Sequence, residues 1–299
     1  MTSFRFLAAC ALCLFAAANL SDSADAQTTI LTQHNDIGRT GQNLNETVLT
    51  PSNVNSSQFG KLYAIQLDAQ TYAQPLYMAS LSIGAVSHSV LFVATENDSV
   101  YAFDTAANGA QLWKASLLDS AHGAAAGAIA DPNSTTGCGN IEGGISGITS
   151  TPVIDPSTGT MYVVSRSNEG GSVVYRLHAL DVTTGNEKFG GPVLITASVA
   201  GTASDGKNGV VKFNPVLQKQ APALLLEAGS IYIGFGSFCD TAPWHGWLMQ
   251  YNAATLAQTA VFLTTPNGVG SGIWMSGTGP AADNENGTPR VFTTTGNGT

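Results

Sequence analysis

Two stretches of this chain concentrate side chains able to do chemistry. The first, from Asp119 to Thr149, is rich in glycine and holds His122, Asp131, Cys138, Asn140 and Glu142. The second holds Cys239, Asp240, Trp244, His245 and Trp247. Trp244, His245 and Trp247 are the cofactor-binding candidates, because aromatic faces beside an imidazole can stack on and hydrogen-bond a planar ligand. Against this stands the plainer reading of Trp247 as the first residue of a strand, packed in a core. A third polar group, His34, Asp36 and Arg39, reads as a chain segment pinned by hydrogen bonds. Asn97 and Asp98 read as a turn. So do Asp283, Asn284, Glu285 and Asn286, which are rich in oxygen but lack the spacing of a calcium loop. No metal set and no catalytic residue is assigned.

The elements that must position these residues repeat. Gln74 to Trp113, Thr151 to Phe189 and Ala221 to Phe262 share one pattern, in which a proline opens an apolar run and an Asp or Asn closes a later one. Pro75 to Asp104 spans 29 residues, Pro152 to Asp181 29, and Pro222 to Asn252 30. Each copy divides into four short apolar or alternating runs joined by turns, which predicts a four-stranded antiparallel blade and an all-β propeller. Gly185 in the turn Asp181 to Gly185 suits a position of positive φ. In the third copy Leu256 stands where that glycine would be. A fourth copy starts at Gly272 and continues to Thr299, while residues 60 to 69 read as one isolated strand. The expected domain plan is a signal peptide over 1–26 and a partial propeller over 27–299. Within it lie a closing strand near 60–69, blades near 74–118, 150–196 and 221–264, and a partial blade at 272–299. This makes the chain a fragment with an incomplete ring, whose closure needs missing blades or a second chain. Connections between blades gather on one face around the axis, where both chemistry-bearing stretches are expected.

Arg5, the apolar run Phe6 to Ala18 and the small residues Ala24 to Ala26 have the anatomy of a secretory signal, too short in its apolar part to span a bilayer. A secreted or periplasmic location follows. The chain has 299 residues, 43% of them hydrophobic and 10% charged, enough for a large core. Its net charge of −9 excludes a phosphate-binding surface of the nucleic-acid type. Beyond the signal two cysteines remain, Cys138 and Cys239. In an oxidising compartment they are expected to pair across two loops, the alternative being two separate thiols.

Ser99 to Trp113 (SVYAFDTAANGAQLW) and Tyr175 to Phe189 (YRLHALDVTTGNEKF) resemble the repeat of quinoprotein propellers, the pyrroloquinoline quinone (PQQ) repeat. The segment Asn35 to Tyr77 resembles the start of secreted quinoprotein-like chains. The resemblance implies that Trp113 docks between neighbouring blades, with Phe189 as a smaller substitute. It also raises PQQ with calcium as a cofactor, although the repeat occurs in propellers that bind none. The sequence departs from the family's alcohol dehydrogenases in having no adjacent cysteine pair and no CxxCH haem site.

Three functions are therefore expected in order: a propeller presenting loops to a small molecule or a protein; a PQQ- and calcium-dependent dehydrogenase of alcohols or sugars, its site completed beyond residue 299; and a protein-assembly scaffold. No catalytic residue carries over from the resemblance.

Overall fold

The computed structural model describes residues 28–139, 141–285 and 287–299. The expected secretory signal, Asn140 and Asn286 lie outside the described residues. Every repeat becomes an antiparallel sheet. The first is a meander of Leu76–Ile83, Val86–Ala94, Ser99–Asp104 and Ala110–Ser116, each strand paired with the next. The second carries Val153–Asp155, Thr160–Glu169, Ser172–Asp181 and the short Val193–Leu194. The third carries Leu225–Glu227, Ser230–Ser237, Trp247–Asn252 and Gln258–Leu263. The fourth copy forms the hairpin Ala281–Glu285 with Thr288–Phe292.

The repeat's closing Asp or Asn has one local function, capping the hairpin turn that follows it. Asp104, Asp181 and Asn252 accept from the backbone N–H of Ala106, Thr183 and Ala254 at 2.8–3.0 Å. Their carbonyls take the N–H of Gly109, Gly185 and Leu256 at 2.8–2.9 Å. Leu256 adopts φ 57°, the conformation glycine supplies elsewhere. Its fully buried side chain offsets that strain by joining the core between the second and third sheets.

Strand alternation explains how the sheets stack. Val90, Phe92 and Ala102 of the first sheet meet Ile154, Met161, Val163 and Leu180 of the second. The opposite face of the second, Tyr162, Val164, Leu177 and Ala179, packs on Ile231, Ile233, Phe235 and Met249 of the third. A sheet apolar on both faces needs a neighbour on each side, the condition a propeller meets by radial stacking. The architecture is an all-β propeller of antiparallel blades in an incomplete ring.

Trp113, from the outer strand of the first blade, does dock on the second. Its indole N–H donates to Val182 O at 3.0 Å, and its ring covers Gly185. A Cβ on Gly185 would sit 2.9 Å from that ring, at a residue with φ 76°. Gly185→Ala is therefore expected to cost about 1–3 kcal/mol by overpacking and backbone strain, read as a lowered denaturant midpoint. An unchanged midpoint would show that the two blades are not held together at this contact.

Two sequence expectations meet a different outcome. Phe189 is 39% exposed, beneath Lys188, so it does not take the docking place of a repeat tryptophan. The last of the four runs in the second copy, Glu187 to Ile195, is broken as a strand: Glu187 bridges Leu180, and pairing resumes only at Val193–Leu194. Gly190, Gly191 and Pro192 intervene, and proline has no N–H for the ladder. Residues 60–69 have no strand partner among the described residues, yet Ile65 and Leu67 cover the outer face of the first blade at Val93, Tyr101 and Phe103. Asp68 fastens this segment by accepting from Thr95, Ser99 and Lys114 at 2.6–3.0 Å. These bonds outweigh the effect of burial and hold its carboxyl down to about 2.

Candidate functional site on the loop face

Gln74, Thr149 and Thr151, Ala221, and Ser276 to Thr278 stand just ahead of the first strands of the four sheets, and together they line one cavity of about 410 Å³. Residues 30–39 cross these strands as a strap. Ile30 pairs with Tyr77, Leu31 O accepts from Ile154 N at 2.8 Å, and Ile37 O from Ala282 N at 2.8 Å. Arg39 donates to Leu224 O at 2.9 Å and to Pro280 O at 3.0 Å. The polar group His34, Asp36 and Arg39 thus belongs to a pinned segment, as the plainer reading had it. From the strap Gln33 reaches into the cavity wall: its amide N–H donates to Gly277 O at 2.6 Å, while its Oε1 is buried without a partner.

Next to the cavity lies a buried cluster of charge. Arg166 and Asp131, 1% and 0% exposed, form an ion pair with N–O distances of 2.7 and 3.1 Å. Asp131 also accepts from Thr135 and Asn168. Arg166 further donates to Tyr175 Oη and Pro215 O, and its guanidinium lies over the rings of Phe238 and Tyr175. Lys219 pairs with Glu142; both line the cavity. Phe238 stacks under Lys219 as well, and the adjacent Cys239 is joined to Cys138, their Cα atoms 5.7 Å apart. This bond ties the long connection from Asp119 to Thr149 to the inner loop of the third blade. Two further strands stiffen the region: Ile129–Pro132 adds to the second sheet, and Gln218–Lys219 adds to the third.

Glu96 and Asp98 complete the cluster. Both are fully buried, and each keeps one carboxylate oxygen without a partner. Glu96 accepts from the Gly147 N–H at 2.8 Å and from Thr149, a cavity residue, at 3.2 Å. Only glycine fits at position 147, since a Cβ there would lie 2.4 Å from Glu96 O. Burial raises the Glu96 carboxyl to about 7 against the pull of these bonds and of Lys219 and Arg166. Burial also raises Asp98 well above the carboxylate range.

A carboxyl that binds its proton more tightly when folded stabilises the fold in acid and loses that contribution as pH climbs. For Glu96 the window runs from about pH 4.5 to about 7. Glu96→Gln is expected to flatten the fall in unfolding free energy across this window by about 3 kcal/mol at most. Urea titrations at pH 4.5 and 8 check it, and parallel slopes in both proteins would sink it. The remaining slope belongs in part to Asp98, which acts in the same direction.

The residues singled out from sequence are placed as follows. Trp247 is fully buried and meets Phe213 edge-on at 5.8 Å. His245, 1% exposed, is bonded to Thr265 Oγ1 at 2.9 Å and Asp205 Oδ1 at 3.0 Å. Trp244 packs against Trp274 with centroids 5.5 Å apart. The three are neighbours, but their rings do not converge on one open surface. His122 bonds Asp119 and Gly185 O, binding the connection to the second blade. Asn97 and Asp98 lie in the first blade's inner loop, and Asp283 pairs with Arg290 across its hairpin. Reading the sequence alone overlooked Gln33, Glu96, Arg166 and Lys219. A usable signal was there for Arg166, an arginine two positions after the apolar run Met161 to Val164.

No protein-family model matches the chain, and no curated protein matches it. Solved structures do. A quinohemoprotein alcohol dehydrogenase from Pseudomonas putida HK5 is 18% identical over 79% of this chain and 30% of its own, with a TM-score of 0.48. That match concerns fold alone. A europium-containing methanol dehydrogenase matches 67% of this chain and 29% of its own at 13% identity and a TM-score of 0.35. A quinohemoprotein alcohol dehydrogenase from Comamonas testosteroni matches 75% and 39% at 12% identity and a TM-score of 0.29. The chain spans about a third of the length of these proteins. At such scores the architecture rests on the sheets described above.

Proposed function

We propose that this chain is a ligand-binding propeller of the secreted or periplasmic space, whose loop face receives a small polar molecule in the cavity between the first strands. The observation that carries this reading is the cavity itself. Four sheets converge on it, a buried Gln33 oxygen beside it has no protein partner, and an ion pair, Glu142 with Lys219, stands in its wall. Ligand sites are concavities with a few convergent polar groups, and this one lies within their size range of about 300–1,000 Å³. The extracellular location is supported by the signal anatomy of the first 26 residues and by the paired cysteines. No helix among the described residues is long and apolar enough to cross a membrane.

The dehydrogenase reading asks for PQQ with calcium, and the described residues do not fit that pair. Calcium takes six to eight oxygens with carboxylates among them. The cavity offers one carboxylate, Glu142, already engaged by Lys219. Among the described residues no three His, Cys, Asp or Glu side chains gather as a metal site. The quinone's own carboxylates would find Lys219 as the single cation in the wall.

The test is thermal melting of the chain with separate probes: glycine, glutamate, glucose, and PQQ with calcium. One of the first three is expected to raise the midpoint by several degrees, and Ser276→Trp, which fills the cavity at an exposed wall residue, is expected to abolish the rise. A shift that survives Ser276→Trp, or no shift with any probe, rules the reading out. A rise confined to PQQ with calcium would restore the dehydrogenase.

A further inference from the structure

A second cavity, about 810 Å³, is open between the hairpin Ser198–Ala200 with Val210–Lys212 and the connection that follows it. Lys207, Lys212, Asn208 and Asn214 supply its polar lining, and Val210, Phe213 and Pro215 its apolar lining. We propose that this cleft is a binding site for a dianion with an apolar body, a small aromatic or aliphatic dicarboxylate.

Charge distribution is the first argument. The chain carries a net charge of −9 and only 11 lysines and arginines. Among the described residues Arg39, Lys114, Arg166, Arg176, Lys188, Lys219 and Arg290 are all bonded to protein groups. Lys61, Lys207 and Lys212 make no such contact among the described residues, and two of these three share one cleft. An acidic protein that leaves two neighbouring cations without partners offers a local site for a dianion, with the amides of Asn208 and Asn214 as further donors. The carboxylate in the lining, Asp205, has Oδ1 engaged by His245.

Rigidity is the second. One wall is clamped to the loop around Pro266: Ala203 N donates to Pro266 O at 3.1 Å, Thr202 N to Asn267 Oδ1 at 3.1 Å, and the buried His245 holds Asp205. A Cβ on Gly201 would lie 2.1 Å from Pro266 O, so this approach requires glycine. The other wall is held from behind, where Arg166 donates to Pro215 O at 2.6 Å. Phe213 is locked edge-on by Phe235 at 4.8 Å and by Trp247. His245 and Trp247 thus support a pocket from its rear instead of lining it. Preorganised walls keep the ordering cost of binding low.

Calorimetric titration of the full chain with phthalate, at low salt, is the test, with benzoate and inorganic phosphate as comparison probes. Phthalate is expected to bind, benzoate to bind at least about tenfold more weakly, and phosphate more weakly than phthalate for want of an apolar body. Lys207→Ala and Lys212→Ala are each expected to weaken phthalate about tenfold or more while leaving the melting midpoint in place, because both side chains are exposed. Lys61→Ala, remote from the cleft lining, is expected to change nothing. Phosphate binding as tightly as phthalate, Lys61→Ala matching Lys207→Ala, or no heat from phthalate at millimolar concentration each overturns the proposal.

Discussion

Arg166→Met is expected to lower the unfolding free energy by about 3–5 kcal/mol, because it strands the Asp131 carboxylate in a site with no solvent. The two side chains are 1% and 0% exposed. Nearly every polar atom around them is spoken for by the pair: Thr135 and Asn168 serve Asp131, while Tyr175 and Pro215 serve Arg166. Removing the cation also takes its donor from the Pro215 carbonyl, while the Gln218 carbonyl keeps the Tyr175 hydroxyl, and it takes the guanidinium off the faces of Phe238 and Tyr175. The paired replacement Arg166→Met with Asp131→Asn removes both charges together. It is expected to recover a large part of the loss, since the net value of a buried pair is far smaller than the cost of breaking it. Denaturant unfolding of the parent chain and these two variants checks this. If the double variant is as unstable as Arg166→Met alone, the stranded carboxylate is not the cause, and loss of the guanidinium's contacts is.

This pair also marks the limit of what the sequence made legible. Blades could be read because each is local: proline, two alternating runs, a capping Asp or Asn and a turn fall within about thirty residues, and turn chemistry acts over two to five positions. The docking of Trp113 is legible only through the resemblance of its repeat to that of quinoprotein propellers. Asp131 and Arg166 are 35 residues apart, in a long connection and in a strand, and nothing in spacing tells that the connection folds back to add Ile129–Pro132 to the second sheet. The turn at Asn97 and Asp98 looked like an ordinary Asx loop. Its burial arises from Gly147 approaching Glu96 closely, a tertiary contact between residues 51 positions apart. His245 and Trp247 were noticed for their chemistry, yet only packing reveals that one grips Asp205 and the other braces Phe213. Residues 60–69 have the alternation of a strand, and a strand's ladder exists only where a partner supplies the other half.

Oxidised chain is expected to exceed the Cys138→Ser, Cys239→Ser double variant in unfolding free energy by about 2–5 kcal/mol. The two cysteines are 101 positions apart. Closing a loop of that size removes unfolded-state entropy worth about 4 to 5 kcal/mol on the chain-entropy estimate. Its effect on the native state is local and concerns the site. Cys239 follows Phe238, whose ring lies 4.4 Å from the Arg166 guanidinium and 5.3 Å from the Lys219 ammonium, and Lys219 holds Glu142 in the cavity wall. Cys138 anchors the connection that carries Glu142 and Ser146, which are bonded to each other. Without the bond the connection keeps its short pairing of Ile129–Pro132 with the second sheet and the Glu142–Lys219 ion pair, but loses its covalent tether to the third. Amide exchange is therefore expected to quicken over residues 133–147 and 236–242 more than in the first blade, which the disulfide does not touch. Uniformly faster exchange would assign the bond to global stability alone. An oxidised chain that melts together with the double variant would remove it from both roles, and the cavity wall would then rest on the Arg166 and Lys219 contacts without covalent help.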